Sequence, residues 1–339
     1  MAPLDPAALA ADLVKLESTS GNEGEIVSYV DDLLSERGWR VTRIPVSPGR
    51  DDLLATAVEA PLVTFSTHLD TVPPFIAPRF AGGRLFGRGA CDAKGIAAAM
   101  CCAAERLRER DVPVALLFVV GEETIHDGAT AANTVPTTSR VLINGEPTES
   151  TLALGTKGAM RLSLRTSGKA AHSAYPALGH SATRDLVHLL AALDTLELPS
   201  DPMLGETTIN IGSLAGGVAD NVVAPWAEAR LMARLVTSAD EIESLLRQWL
   251  KRRLPSAELE VEALVPPVRL GTVPGLPTSI VAYATDIPKL SHWGTPYLFG
   301  PGSIHVAHTD DEYVELEELR RSVGVYERLA VDALARAAG

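Results

Sequence analysis

Three apolar, strand-like segments of this chain each lead into side chains that can bind a metal ion. The segment VTFST precedes His68 and Asp70, ALLFVV precedes Glu122 and Glu123, and RVLIN precedes Glu146. In an open α/β sheet, ligands bind beyond the carboxyl ends of the strands. The sequence therefore predicts a sheet whose strand ends bring acidic and imidazole side chains to one place.

Helix-like and strand-like segments alternate through the first half of the chain. The predicted elements are helices at residues 26–37 and 94–110, and strands at 62–67, 115–120 and 140–144. Such alternation is typical of a largely parallel sheet with helices on both faces. The fold class that we predict for this part of the chain is therefore α/β.

The pattern changes near Lys157, where AMRLSLRTSG alternates polar and apolar residues with the period of a strand. Beginning with this strand, the predicted order as far as residue 265 is a strand, a helix, two strands, a helix and a strand. This order is that of a small α+β sandwich of the ferredoxin-like type. We predict an inserted domain at residues 157–265, within a first domain formed by residues 1–156 and 266–339.

Charge, hydropathy and cysteine content exclude several classes of protein. The net charge of −13 argues against a nucleic-acid-binding protein, which needs a basic face. No apolar run approaches ~18 residues, so no membrane span is expected, and the N-terminal segment does not have the pattern of a signal peptide. The three cysteines give no disulfide framework, which favours a cytoplasmic protein.

Asp92 and a C-terminal histidine extend the set of candidate ligands. Asp92 lies in GRGACDAKG, between a glycine-rich turn and an alanine-rich helix, where the alternative is that it only caps the helix. Lys94, which follows it, is expected to be solvated or ion-paired. His308 and His305 both lie in IHVAHTDDEYV and compete for one assignment. Two histidines and three carboxylates, one of them bridging, would suit a pair of zinc ions.

The helper carboxylates have their own expected roles. His68 and Asp70, at positions i and i+2 of a strand, point to the same face. Asp70 can then accept the proton of one ring nitrogen and leave the other nitrogen for a metal. Glu122 and Glu123 are adjacent and point different ways, so one can bind a metal while the other acts as general base on its water.

The motifs THLDTVP, GRGACDAKG, GEE, NGEPTE, GKAAHSAYP and AHTDDEYV occur together in this chain. In their order and approximate spacing, the chain resembles the dizinc metallopeptidase family of acetylornithine deacetylase, succinyl-diaminopimelate desuccinylase, aminoacylase and several dipeptidases and carboxypeptidases. The resemblance covers nearly the whole chain. It implies a zinc-peptidase-like, mostly parallel sheet flanked by helices, with the inserted domain as a lid and dimerisation domain of a homodimer.

The resemblance implies two zinc ions, for which Co²⁺ or Mn²⁺ could substitute. His68 and Glu146 would bind one ion, Glu123 and His308 the other, and Asp92 both, often with a cis peptide bond after the aspartate. His308 is preferred over His305 because AHTDDEYV matches the family's C-terminal motif. Asp70 would orient His68, and Glu122 would be the general base and acid.

The resemblance also implies roles for other residues. His172, in GKAAHSAYP, would stabilise the oxyanion, commonly from the partner subunit, and Asn221 and Arg234 would hold the substrate. Thr285, Gly302 and Ser303 are candidates for lining the substrate pocket. The resemblance implies no function for Met232, His126 or Cys91. Met232 stands where the family often has Asp. His126 is expected to be a surface or loop residue, and Cys91 is expected to be a packing residue.

The function implied is a zinc-dependent amidohydrolase that removes an N-acetyl or N-succinyl group from an amino acid in biosynthesis, with Glu122 as base toward a metal-bound hydroxide. The alternative is a dipeptidase or carboxypeptidase with the same machinery. In either case, the partner is a small N-acyl-amino acid or peptide. A binding protein that keeps the metals without catalysis is disfavoured, because both Glu122 and His172 are present.

Overall fold

The computed structural model describes residues 2–337 and divides the chain into two compact units. The outer unit comprises Met1–Leu154, Arg269–Ser279 and Thr285–Gly339. The inserted unit comprises Gly155–Val268 and Ile280–Ala284. Three short strands, Leu152–Thr156, Val268–Arg269 and Thr278–Val281, form a further sheet.

A six-stranded sheet forms the centre of the outer unit. Its order is Arg40–Ser47, Arg50–Thr56, Val114–Val119, Val63–His68, Val141–Asn144 and Thr295–Leu298. The last four strands are parallel to one another, whereas the first two form an antiparallel hairpin whose strand Arg50–Thr56 pairs antiparallel with Val114–Val119. The expected α/β fold is confirmed, but the sequence did not predict the hairpin, because its strands carry many polar and partly exposed residues.

The outer helices pack around a long, alanine-rich helix. They are Pro6–Val14, Gly24–Glu36, Lys94–Arg108, Asp127–Ala132 and Leu316–Ala337, with a 3₁₀ turn at Ile287–Lys289. Small side chains allow Lys94–Arg108 to be buried along almost its whole length against the first and last of these helices. A small sheet of Arg79–Ala81, Arg84–Phe86 and Tyr313–Glu315 completes this unit. The helices predicted at residues 26–37 and 94–110 are thus confirmed within two residues.

The inserted unit is a four-stranded antiparallel sheet that two helices cover on one face. The strand order is Thr208–Gly216, Trp226–Leu235, Gly158–Ser167 and Glu258–Val265, and the helices are Ala182–Leu193 and Ala239–Arg253. A short hairpin of Ser200–Asp201 and Gly205–Glu206 and a 3₁₀ turn at Pro176–Leu178 complete it. Along the strand Trp226–Leu235, every second residue is buried against the helices, so the alternate residues occupy the other face.

None of the helices described between residues 2 and 337 is long and apolar enough to cross a membrane.

Candidate metal centre

Parallel strands of the outer sheet place three of the candidate ligands at the same edge. Val63–His68 ends at His68 itself, Val114–Val119 ends just before Glu122 and Glu123, and Val141–Asn144 ends just before Glu146. Since these strands are neighbours and run in the same direction, their carboxyl ends meet. Asp92 and His308 reach this edge from loops.

Asp92 lies between the two histidines. Its Oδ1 is 3.0 Å from His68 Nε2, and its Oδ2 is 3.4 Å from His308 Nε2. Each imidazole nitrogen also faces a further carboxylate: Glu146 Oε2 is 3.8 Å from His68 Nε2, and Glu123 Oε1 is 2.8 Å from His308 Nε2. The five side chains therefore form two groups of potential metal ligands that share one aspartate.

The loop GRGACDAKG carries Asp92 toward the imidazoles and Lys94 into the core. The N-cap residue of the helix is Ala93, and the Asp92 carboxylate faces the imidazoles and does not cap the helix. The peptide bond between Asp92 and Ala93 is cis. The expectation that Lys94 is solvated or ion-paired is wrong, since the residue is 1 % exposed. Its stem is packed in the core, and its ammonium donates to the backbone oxygen of Leu16 at 2.6 Å.

Glu312 fixes the loop that carries Asp92. One oxygen of its fully buried carboxylate accepts the backbone N–H groups of Gly89, Cys91 and Asp92 at 2.9, 3.1 and 3.1 Å. The other oxygen accepts from Arg88 Nη1 at 2.7 Å. Sequence reasoning missed this role, although Glu312 belongs to the motif AHTDDEYV that singled out His308.

Asp70 contacts both the ring of His68 and the backbone of the two glutamates. His68 Nδ1 lies 2.9 Å from the backbone oxygen of Asp70 and 3.5 Å from its carboxylate, so the backbone oxygen is the nearer acceptor. The carboxylate accepts from Ser20 Oγ at 2.6 Å and from the N–H groups of Glu122 and Glu123 at 3.1 and 3.2 Å. Asp70 therefore fixes the backbone of the two glutamates as well as the ring of His68.

The electrostatics of the site favour a bound cation. Glu146 Oε1 is buried and has no hydrogen-bond partner among the described residues. Burial raises the pKa of Glu146 well above its ordinary value, although His68 opposes the shift. Hydrogen bonds to Asp92 and Glu123 raise the pKa of His308 to about 10. A surplus of carboxylates around two imidazoles is a donor set that divalent cations fit, since they can supply the missing positive charge.

Glu122 lies beside this set of ligands and is largely buried. Burial raises its pKa well above the ordinary value, and the carboxylates of Glu146 and Asp286 add to the shift. His126 lies beside Glu122 and is hydrogen-bonded to Asp286 at 2.9 Å. His126 lies in the loop before the helix Asp127–Ala132, which fits the expected surface or loop residue, but only 14 % of its side chain is exposed, so it is not on the surface.

Two of the candidates from the inserted unit lie side by side within that unit. A backbone bridge joins His172 to Val222, and the N–H of Ser173 donates to the backbone oxygen of Asn221 at 2.9 Å. His172 is exposed, and its Nδ1 accepts the N–H of Ala174 at 3.1 Å. Because Nδ1 accepts, the proton of the neutral ring is on Nε2, which has no hydrogen-bond partner among the described residues and can donate.

Arg234 lies on the face of the inserted sheet opposite the helices and is only partly exposed. Burial lowers its pKa, and the charge of Arg161 lowers it further. Within the described part of the chain, no carboxylate forms an ion pair with Arg234. A partly buried guanidinium of this kind is suited to binding a carboxylate from outside the protein.

The three residues proposed to line a pocket lie in the outer unit and differ in exposure. Thr285 is fully buried and its hydroxyl accepts the N–H of Ile287 at 3.3 Å, so it supports a turn and does not line an accessible surface, contrary to the expectation. Gly302 is buried against Cys91, which is a packing residue as expected. Ser303 is partly exposed and donates to Glu149 at 2.7 Å.

A sequence model described as Peptidase family M20/M25/M40 matches residues 64–332 of this chain. A probable carboxypeptidase of Aspergillus terreus is 37 % identical over 369 residues, which cover 95 % of this chain and 85 % of the relative. Among solved structures, a tripeptidase of Staphylococcus aureus superposes with a TM-score of 0.81 at 21 % identity, over 98 % of each chain. A dinuclear metal binding peptidase of Bacillus subtilis superposes with a TM-score of 0.74 at 15 % identity, over 97 % of this chain and 98 % of that one.

Proposed function

Because the chain belongs to Peptidase family M20/M25/M40, we propose that it is a dimetal peptidase that removes the C-terminal residue of short peptides. The observation that carries this proposal is the position of Asp92, whose two oxygens face two imidazoles that each have a further carboxylate. The likeness to proteins described as a carboxypeptidase and a tripeptidase supports a peptide substrate over the N-acyl-amino acid that we expected first.

We assign one cation to His68 and Glu146, the other to His308 and Glu123, and both to Asp92. Imidazole and carboxylate donors suit zinc, for which Co²⁺ or Mn²⁺ could substitute. Bound there, two such cations would polarise the scissile carbonyl and lower the pKa of the attacking water.

Glu122 is the proposed general base. It would take a proton from the attacking water and deliver it to the leaving amine. Its backbone N–H is held by the carboxylate of Asp70, and its side chain is not one of the five assigned ligands, so it is free for proton transfer. A positioned general base of this kind typically contributes a factor of ~10²–10⁴ to the rate.

The inserted unit supplies the proposed groups for the oxyanion and the substrate carboxylate. The Nε2–H of His172 would donate to the oxyanion, a role worth about 3–4 kcal/mol in comparable sites. Arg234 would bind the α-carboxylate of the substrate in bidentate fashion, with Asn221 as a further contact. A homodimer formed through the inserted unit and a cytoplasmic location are further parts of the proposal.

Release of primary amine from four sets of substrates tests the proposal. The sets are short peptides with free C-termini, the same peptides as C-terminal amides, N-acetyl-amino acids and N-succinyl-amino acids. We expect cleavage of the free peptides and little cleavage of the amides. Preferred cleavage of the N-acyl-amino acids would favour the deacylase alternative and overturn the carboxypeptidase proposal.

Matched variants connect the assay to the proposed residues. Glu122→Gln should lower kcat by ~10²–10⁴ while the bound metal stays the same. Arg234→Met should raise KM for free peptides. Arg230→Met is its control, because Arg230 lies four residues earlier on the same strand and already pairs with Glu262 at 2.9 Å. Equal effects of the two arginine substitutions would contradict the proposed carboxylate contact.

A further inference from the structure

A second group of potential ligands lies beside the metal centre, and we call it the Glu122 cluster. It consists of Glu122, His126 and Asp286, each of which offers one ligand atom within 4.8 Å of the others. His126 Nδ1 is 2.9 Å from Asp286 Oδ1 and 3.8 Å from Glu122 Oε1. The family resemblance gave His126 no role, and none of the five assigned ligands belongs to this cluster.

A tight turn brings His126 back beside Glu122. The backbone oxygen of Gly121 accepts the N–H of His126 at 2.9 Å, which closes the turn. His126 adopts the left-handed conformation, with φ of 56°. A non-glycine residue is uncommon in that region, and the hydrogen bond to Asp286 at 2.9 Å holds the imidazole in place.

The spacing of the Glu122 cluster repeats that of a ligand group assigned to the metal centre. Around His126 Nδ1, the two carboxylate oxygens lie at 2.9 and 3.8 Å. Around His68 Nε2, the oxygens of Asp92 and Glu146 lie at 3.0 and 3.8 Å. Ligand bonds of ~2.0–2.2 Å to zinc place neighbouring donor atoms at about such separations.

Asp286 gives an independent indication of a missing ligand. The residue is 1 % exposed, and its Oδ2 is buried without a hydrogen-bond partner among residues 2–337. An unpartnered buried carboxylate oxygen costs free energy unless a hydrogen bond or a cation satisfies it. His126 already engages the other oxygen, so the carboxylate is held in place with one oxygen free.

We propose that the Glu122 cluster is a third divalent-cation site, whose occupation inhibits the enzyme. One imidazole and two carboxylates form a donor set for Zn²⁺ and similar metals. The site is weaker than the two assigned sites, because a cation there must displace the hydrogen bond between His126 and Asp286 and is repelled by two neighbouring cations. The inhibition rests on the proposed function, since the cation would occupy the general base Glu122. The binding of the cation does not depend on the proposed function.

Calorimetric titration of Zn²⁺ into protein that already holds two Zn²⁺ per chain tests the site. We expect the wild-type protein to bind one further Zn²⁺ and His126→Asn to lose at least ~10-fold in that affinity. Asparagine is chosen because it tolerates the left-handed conformation. His180→Asn is the matched control, because His180 also pairs with an aspartate, Asp185, but is exposed and belongs to no group of three potential ligands among the described residues.

A second variant and an activity measurement complete the experiment. Asp286→Asn keeps an acceptor for His126 but removes the charge, and should also weaken the third site. The rate of peptide hydrolysis by the wild-type protein should fall over the range of Zn²⁺ concentration in which the further ion binds. The rate of the His126→Asn variant should not fall over the same range. Equal binding of the further Zn²⁺ by the wild-type protein and both variants would overturn the site.

The two proposals fail in distinguishable ways. If the further Zn²⁺ binds through His126 and hydrolysis is unchanged, the inhibitory role is wrong and the site stands. If no peptide or N-acyl-amino acid is hydrolysed at any Zn²⁺ concentration, the proposed function is wrong and so is the proposed inhibition. The calorimetric comparison alone then decides whether the site exists.

Discussion

Replacement of Glu312 by glutamine tests whether a buried ion pair holds the loop of Asp92. In the wild-type protein, one carboxylate oxygen accepts three backbone N–H groups of this loop, and the other accepts from Arg88. A glutamine can keep one accepting oxygen toward the loop, but its amide group then points a donor at the guanidinium. The substitution therefore leaves the charge of Arg88 buried without its carboxylate.

The expected loss of stability follows from this geometry. Removal of one partner of a buried ion pair costs about 3–5 kcal/mol. Arg88 keeps contacts with the backbone oxygens of Thr309 at 3.1 Å and Pro74 at 3.3 Å, so we expect the lower end of this range, about 3 kcal/mol. The bond from Glu312 to the N–H of Asp92 is also perturbed, so metal affinity should fall together with stability.

The assay is equilibrium unfolding in urea, with Glu315→Gln as the matched control. Glu315 accepts from Arg84 at 2.6 Å, but both side chains are 41 % exposed. Loss of an exposed pair costs at most about 1 kcal/mol. If the two substitutions lower the free energy of unfolding equally, the argument that burial makes the Arg88–Glu312 pair structurally important is refuted.

Three further predictions concern pH, packing and assembly. Burial raises the pKa of Asp52 to about 8, above the ordinary 3.8 of the unfolded chain. Between these values the folded protein keeps a proton that the unfolded chain has lost, so stability falls as pH rises. In thermal unfolding, Asp52→Asn should make this fall smaller, whereas the control Asp32→Asn should not. Gly302→Ala should lower stability by about 1–3 kcal/mol, because φ is +87° and the new Cβ would lie 2.5 Å from the Cys91 sulfur. Adding Cys91→Ala should recover part of this loss, and the absence of any recovery would contradict the proposed clash. Mixed subunits of His172→Ala and Glu122→Ala should regain partial activity if the histidine acts across a dimer, whereas no recovery would favour a role within one subunit.

The sequence could predict much of the fold because helices and strands leave local, periodic signals. The helix Lys94–Arg108 and the strands that end near His68, Glu122 and Glu146 follow from runs of apolar residues and from the rule that parallel strand ends meet. The hairpin Arg40–Thr56 was not predicted, because its polar strands depend on pairing with the sheet and carry a weak periodic signal.

The sequence by itself determined which residue types could form a metal centre and in what order along the chain. Only the tertiary structure decided which atoms meet: the two oxygens of Asp92 with two imidazoles, Glu312 with the backbone around Asp92, and His126 with Asp286, 160 residues away. Lys94 was misjudged for the same reason, since a lysine in a first helical turn has no local signal of burial. Such contacts join distant parts of the chain and depend on side-chain direction and packing, for which the local periodicity of one sequence holds no record.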